Sequence, residues 1–202
     1  MGKKKVSAAL LVVIGLILSG CSNPSDAATF KAGKITMKEL QTSVNTILAE
    51  RIKFETVPEN GFSGEALTRN QLEFHIFSAL FTQAAKERNL VALPGEVAAR
   101  RVEVLKNVGG EEQLSVALVN AGIASTDLDE YLALIVLQDK LRAVVAPSAT
   151  DDGQVQALQK MLAETVTSQK LTVNPRYGVW NTLTNKVDTV DPTGGALPAS
   201  EQ

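Results

Sequence analysis

Few side chains in this chain have the chemistry to react or to hold an ion. His75 is its single histidine, set between Phe74 and Ile76 in a helical stretch and off the main apolar rows. That flank position predicts a surface or boundary residue. A metal site needs further ligands at suitable spacing, and no Ser/His/Asp constellation can be built convincingly around one histidine. Glu111-Glu112 and Asp151-Asp152 are paired acids of the kind that general acid–base sites use. Both pairs open predicted helices, however, where carboxylates favour the positive end of the helix dipole. Gly109-Gly110 follows a helix rather than a strand and lacks the lysine of a phosphate loop, so it reads as a C-cap turn. Lys86-Glu87-Arg88 and Arg100-Arg101 read as solvated faces. These residues predict no catalytic, cofactor or metal site. In Asn174–Trp180, Arg176, Tyr177 and Trp180 gather cation and ring chemistry around a stiff Pro175 and a permissive Gly178. Two readings stand there: a lip that binds a client or partner, or aromatic caps that close the core.

The elements that must position these groups are helices. Thr68–Asn89 carries apolar residues at Leu72, Ile76, Phe77, Leu80, Phe81, Ala84 and Ala85, the rhythm of a helix burying one face. Thr68 with Gln71 forms a capping-box pattern, and Leu67 with Leu72 the matching staple, which predicts a loop over 56–67. Upstream, Thr36 with Glu39 and Ile35 with Leu40 repeat both signals, and Leu40, Val44, Ile47, Leu48 and Ile52 mark a buried face. Pro94 suits a helix first turn, and Val97, Val104, Leu105 and Val108 continue the pattern to Gly109. A short helix over 111–120 stops at Gly122, and Ser125 or Thr126 caps a long one closed by Pro147. Val155, Leu158, Met161, Leu162 and Val166 mark a last helix, with an extended piece at Leu171–Val173. Thr29–Lys34 reads as a short extended segment turning at Gly33. The expectation is an all-α single domain of about six helices over 29–180, with at most a minor two-stranded ribbon. A Gly/Pro/Ser/Thr-rich tail over 181–202 reads as flexible.

The 202 residues, 45% hydrophobic and 21% charged, suit one globular domain that needs no disulfide or metal staple. The body holds no basic block and the chain carries a net charge of −2, which argues against nucleic acid as partner. Aromatics at 4% weaken any reading that relies on stacking.

The lone cysteine has a different role. Lys3, Lys4 and Lys5 precede a short apolar run, Val6–Leu18, which reads as a targeting segment rather than a membrane span. It ends in Leu18-Ser19-Gly20-Cys21, which resembles the lipobox of bacterial lipoproteins. The resemblance implies cleavage of a signal peptide at 1–20 and a lipid on the Cys21 sulfur. Residues 21–28 would then be a lipidated tether. The cleaved chain loses three of its 20 basic residues and none of its 22 acidic ones, giving a net charge of −5. It should gain little from anionic lipids as a whole.

The order of signals resembles a known family. Gly33-x-Ile35-Thr36-x-x-Glu39-Leu40 precedes a long apolar helix ending in Ala85-Lys86-Glu87-Arg88-Asn89-Leu90. Glu96-Val97, Gly109-Gly110 with Leu114, and Gly122-Ile123-x-Ser125-x-Asp127-Leu128 follow. With Asn174–Trp180, this resembles the N-terminal chaperone domain of the SurA and PrsA extracytoplasmic folding factors, over roughly 28–180. The resemblance implies N-terminal helices packed with a returning C-terminal helix. Members often carry a parvulin-type prolyl isomerase between them, here at 146–153, where only a handful of residues lie. Parvulin-like catalysis also uses several histidines, and His75 stands alone. The expected protein is therefore a non-enzymatic lipoprotein on the extracytoplasmic face of the cell membrane, without cofactor or metal. It would bind unfolded or partly folded secreted polypeptides without ATP. The alternative is an envelope adaptor that docks one dedicated protein.

Overall fold

The computed structural model describes residues 25–57 and 62–189. The signal segment and the lipobox residues Leu18, Ser19, Gly20 and Cys21 lie outside the described residues, as does the tail from 190 onward. Two strands open the fold, β1 (Asp26–Phe30) and β2 (Gly33–Thr36). Four helices follow: α1 (Met37–Lys53), α2 (Gly64–Lys86), α3 (Pro94–Val108) and α4 (Glu111–Ala121). A 3-10 turn at Ser125–Asp127 leads into α5 (Leu128–Val145) and α6 (Asp151–Gln169). The chain closes with β3 (Thr172–Val173), β4 (Val179–Asn181) and β5 (Lys186–Asp188). The mainly helical expectation holds, and a three-stranded sheet of order β2-β1-β3 plus a β4–β5 hairpin exceeds the single ribbon foreseen.

α1 begins where its capping box predicts. The Glu39 N–H donates to Thr36 Oγ1 at 3.1 Å, and the Thr36 N–H donates to Glu39 Oε2 at 3.3 Å. Leu40, Val44 and Ile47 are buried as expected, but Leu48 is 43% and Ile52 81% exposed, because the helix runs past its cover. α2 starts four residues before the predicted cap. Thr68 is inside the helix, with its hydroxyl bonded back to the Gly64 carbonyl. Gln71 is buried and donates to the Gly122 carbonyl at 2.7 Å, so it ties α2 to the end of α4 rather than capping anything. Gly109 (φ +95°) and Gly122 (φ +70°) take the left-handed C-cap conformation. Glu111, Glu112, Asp151 and Asp152 occupy first turns, as the dipole argument predicts.

α2 lies against α1, α5, α6 and the strands β1, β2 and β5. Leu72, Ile76, Leu80, Ala84 and Ala85 are essentially inaccessible along it. A smaller cluster, Leu114, Leu118, Leu128 and Leu132, joins α3 and α4 to the start of α5. α5 belongs to both clusters, since Leu134, Leu137 and Leu141 continue into the main one.

Two expected boundaries shift. The tether foreseen to Ala28 ends by Asp26, for Ala27 and Ala28 are buried inside β1. The stretch foreseen as flexible from 181 is instead structured to Asp188, because β5 pairs with β4 and buries Val187. β1 pairs Ala28 with Val173 and Thr29 with Thr172, so the chain returns after α6 to its own beginning. The Asn174 backbone N–H and side-chain amide add bonds to the Ala27 and Asp26 carbonyls.

Gly178 has φ +131°, and a Cβ there would sit 2.1 Å from the Asp188 carbonyl oxygen. Gly178→Ala should therefore destabilise by about 2–4 kcal/mol. A drop in melting temperature of roughly 5–15 °C by circular dichroism would show it.

Candidate functional site

The structure corrects the surface reading of His75. The side chain is 4% exposed and meets groups from three other elements. Its Nε2 lies 2.9 Å from Ser43 Oγ on α1 and 4.0 Å from Asp127 Oδ2 in the 3-10 turn. Its Nδ1 lies 3.6 Å from Glu130 Oε2 on α5. Periodicity along α2 misses this because the stripe covering His75 is polar. Ser43, also buried, could have signalled it: a hydroxyl one position before Val44 on an apolar face.

Ser43, His75 and Glu130 have the atoms of a nucleophile, base and orienter, but not their setting. Ser43 is 1% exposed in the middle of α1, where the backbone N–H groups that would stabilise an oxyanion already bond within the helix. The group is a polar brace. Burial alone pulls the His75 imidazolium down, but the Glu130 carboxylate, Asp127 and Glu39 outweigh it and raise its pKa above 6.5. Burial pushes Glu130 up, and the neighbouring His75 ring, 3.6 Å away, with Ser78 brings it below 4.5.

The more open feature is a groove of about 380 Å³. Phe74, Phe77 and Phe81 of α2 form one side, with Leu134 of α5 and Leu158 of α6 opposite. The i, i+3, i+7 spacing puts the three rings on one stripe, and Val155 stands at the rim, 40% exposed. Trp180 supports the stripe by an edge contact with Phe77, centroids 5.7 Å apart. The turn of the β4–β5 hairpin brings Asn185 to the other rim, where its left-handed backbone has φ +54°. Glu73 holds the hairpin down, since its Oε1 accepts the Val187 N–H at 2.7 Å. Burial raises the Glu73 carboxyl, against the opposing pull of that N–H and of Lys186.

Among the described residues Arg142 is the one charged side chain lining the groove. Among the described residues it forms no ion pair, and its Nε and the Asn185 Oδ1 have no hydrogen-bond partner. The lining can therefore cover an apolar chain and offer polar groups at its edge. Sequence reading placed Phe77 and Phe81 on the buried face; Phe81 is buried there, and Phe77, like Phe74, is half-buried. The same reading missed Arg142 and Asn185, which carry no local pattern.

Arg176 and Tyr177 line one cleft together, and Trp180 stands apart from them. Trp180 backs the groove, and Tyr177 packs on the core. Arg176 is exposed, 5.4 Å from the Tyr177 ring centre, in a separate polar cleft. Among the described residues no group of three or more His, Cys, Asp or Glu side chains is arranged to hold a metal.

The brace has a pH signature. The raised His75 value stabilises the fold fully below about pH 6.5, the unfolded value, and that contribution is lost as pH rises through the folded one. The lowered Glu130 value adds stability above about pH 4.5 that is lost as pH falls through its folded value. Urea unfolding should thus show decreasing stability as pH rises beyond 6.5, and His75→Gln should flatten that limb. An unchanged limb in the variant would remove the brace as its cause. Set beside family models, curated proteins and solved structures, the chain matches none of them.

Proposed function

We propose that this protein is a lipid-anchored, extracytoplasmic chaperone-like module that binds apolar segments of unfolded or partly folded secreted polypeptides. The observation that carries this reading is the open groove with three phenylalanines along one wall. Phe81 is buried there, Phe74 and Phe77 are half-buried, and Val155, 40% exposed, carries the apolar lining out to the surface. At about 380 Å³ the groove takes a few apolar side chains of a client, not a folded domain. Contacts of this size give modest affinity, which suits binding and release without ATP. The lipobox-like sequence ending in Cys21 supports a station at the outer face of the cell membrane, where exported chains emerge.

The resemblance to SurA and PrsA chaperone domains points the same way, and so does the absence of room for an isomerase. α5 ends at Val145 and α6 begins at Asp151, a connection of five residues. We therefore assign binding without prolyl isomerisation.

One observation favours a second reading. Arg142 and Asn185, both lining the groove with polar atoms that have no hydrogen-bond partner, would suit one dedicated envelope partner better than a broad clientele.

Light scattering during aggregation of a denatured model protein, with the body from Ser22 onward present or absent, tests the first reading. Suppression near stoichiometric ratios is expected, and Val155→Glu should weaken it about tenfold by placing a charge at the rim. Suppression untouched by Val155→Glu would move binding elsewhere. No suppression by a folded body would sink the general chaperone. A photo-crosslinker at position 155 that captures one envelope protein would then support the adaptor.

A further inference from the structure

The cleft that holds Arg176 is a second site of different chemistry. It measures about 490 Å³ between the start of α1, the start of α2 and the turn after β3. Three cations line it, Lys38, Arg69 and Arg176, against one carboxylate, Glu65. Glu65 is 92% exposed and reaches Arg69 at 3.5 Å, a pair with little strength in water. Among the described residues Lys38 and Arg176 form no ion pair. Lys38 also stands in the first turn of α1, where the helix dipole disfavours a cation. Stability does not explain a lysine there. On a body that is acidic overall, this is a local concentration of positive charge.

Its position gives the cations a use. Met37 lines the cleft, and its N–H donates to the Ser25 carbonyl at 2.9 Å. Ser25 is the first described residue, and Cys21 lies only four residues upstream. Four residues span at most about 14 Å. A lipid on Cys21 would hold this corner of the fold close to the bilayer, at a distance comparable to the Debye length of about 10 Å. Tyr177, half-buried beside Arg176, adds a ring of the type that settles at headgroup level.

We infer that the Lys38–Arg69–Arg176 cleft docks on the phosphate groups of anionic phospholipids and so fixes how the body stands on the membrane. This rests on the lipid-anchor reading of Cys21. Net charge hides the site, because −5 is a sum over the whole cleaved chain.

The test uses the full lipidated protein with Gln41→Cys, a cleft-lining position; Cys21 is occupied by lipid, so the new thiol alone takes a fluorophore. The protein is reconstituted in phosphatidylcholine vesicles, with or without phosphatidylglycerol, that carry a headgroup quencher. Quenching should be stronger with phosphatidylglycerol than without it, and that excess should be lost in high salt. The docked fraction should fall about tenfold or more in Lys38→Glu/Arg176→Glu, both at exposed sites. Flotation with both vesicle types but equal quenching, or quenching untouched by the charge reversal, would overturn the docking. Failure to float on phosphatidylcholine would instead reject the lipid anchor, and the docking with it. A fluorescence response to soluble glycerophosphate equal to that with vesicles would assign the cleft to a free phosphate ester and overturn membrane docking.

Discussion

One helix must be covered on nearly every side, and the rest of the fold is the cover. α2 presents Leu72, Ile76 and Leu80 on one face and Ala84 and Ala85 beyond them, all withdrawn from water. No single neighbour can bury so wide a surface. α1, α5 and α6 take separate sectors, and the strands take what remains. The alanines let other elements approach closely near the end of the helix, where larger side chains would hold them off. The groove along Phe74, Phe77 and Phe81 is the sector where the cover is incomplete.

Polar groups set the register of this packing. Apolar surfaces slide at small cost, whereas a buried donor tolerates no loss of its acceptor. Gln71 reaching Gly122 fixes α2 against the end of α4. His75 bonds Ser43 at 2.9 Å and so fixes the same helix against α1, with Glu130 of α5 3.6 Å from its other ring nitrogen. Glu73 fixes it against the hairpin. Three consecutive odd positions of α2 thus face three different neighbours, which leaves the helix one rotation and one height.

Local signals were legible and tertiary ones were not. Thr36 and Glu39, Pro94, Gly109 and Gly122 mark their boundaries because each acts on backbone groups within a turn of itself. Thr68 and Gln71 imitate the same pattern, yet the helix continues four residues upstream because Leu67 finds complete burial there. His75 was misplaced because its partners are 32, 52 and 55 residues away along the chain. The short strands were legible only as extended pieces, at Thr29–Lys34 and Leu171–Val173, and their pairing was not. β3 spans only Thr172–Val173 and exists as a strand through its pairing with β1, which no window of sequence contains. Of the candidate sites, the phenylalanine stripe was visible, and the partial exposure of Phe74 and Phe77 was not. The cation cleft draws on residues 38, 69 and 176, which nothing in their neighbourhoods connects.

The pairing of β1 with both β2 and β3 gives the molecule a mechanical character. β1 is the middle strand of its sheet, so the chain just inside Ser25 is gripped along both edges. A pull on the N-terminal end cannot peel away one edge strand alone. It loads β3 as well, and through the two-residue link after Gln169 it loads α6, one wall of the groove. A load on the groove and a hold at Ser25 would thus strain the same short path. The body would respond to tension as one piece rather than unravelling from its N-terminal side.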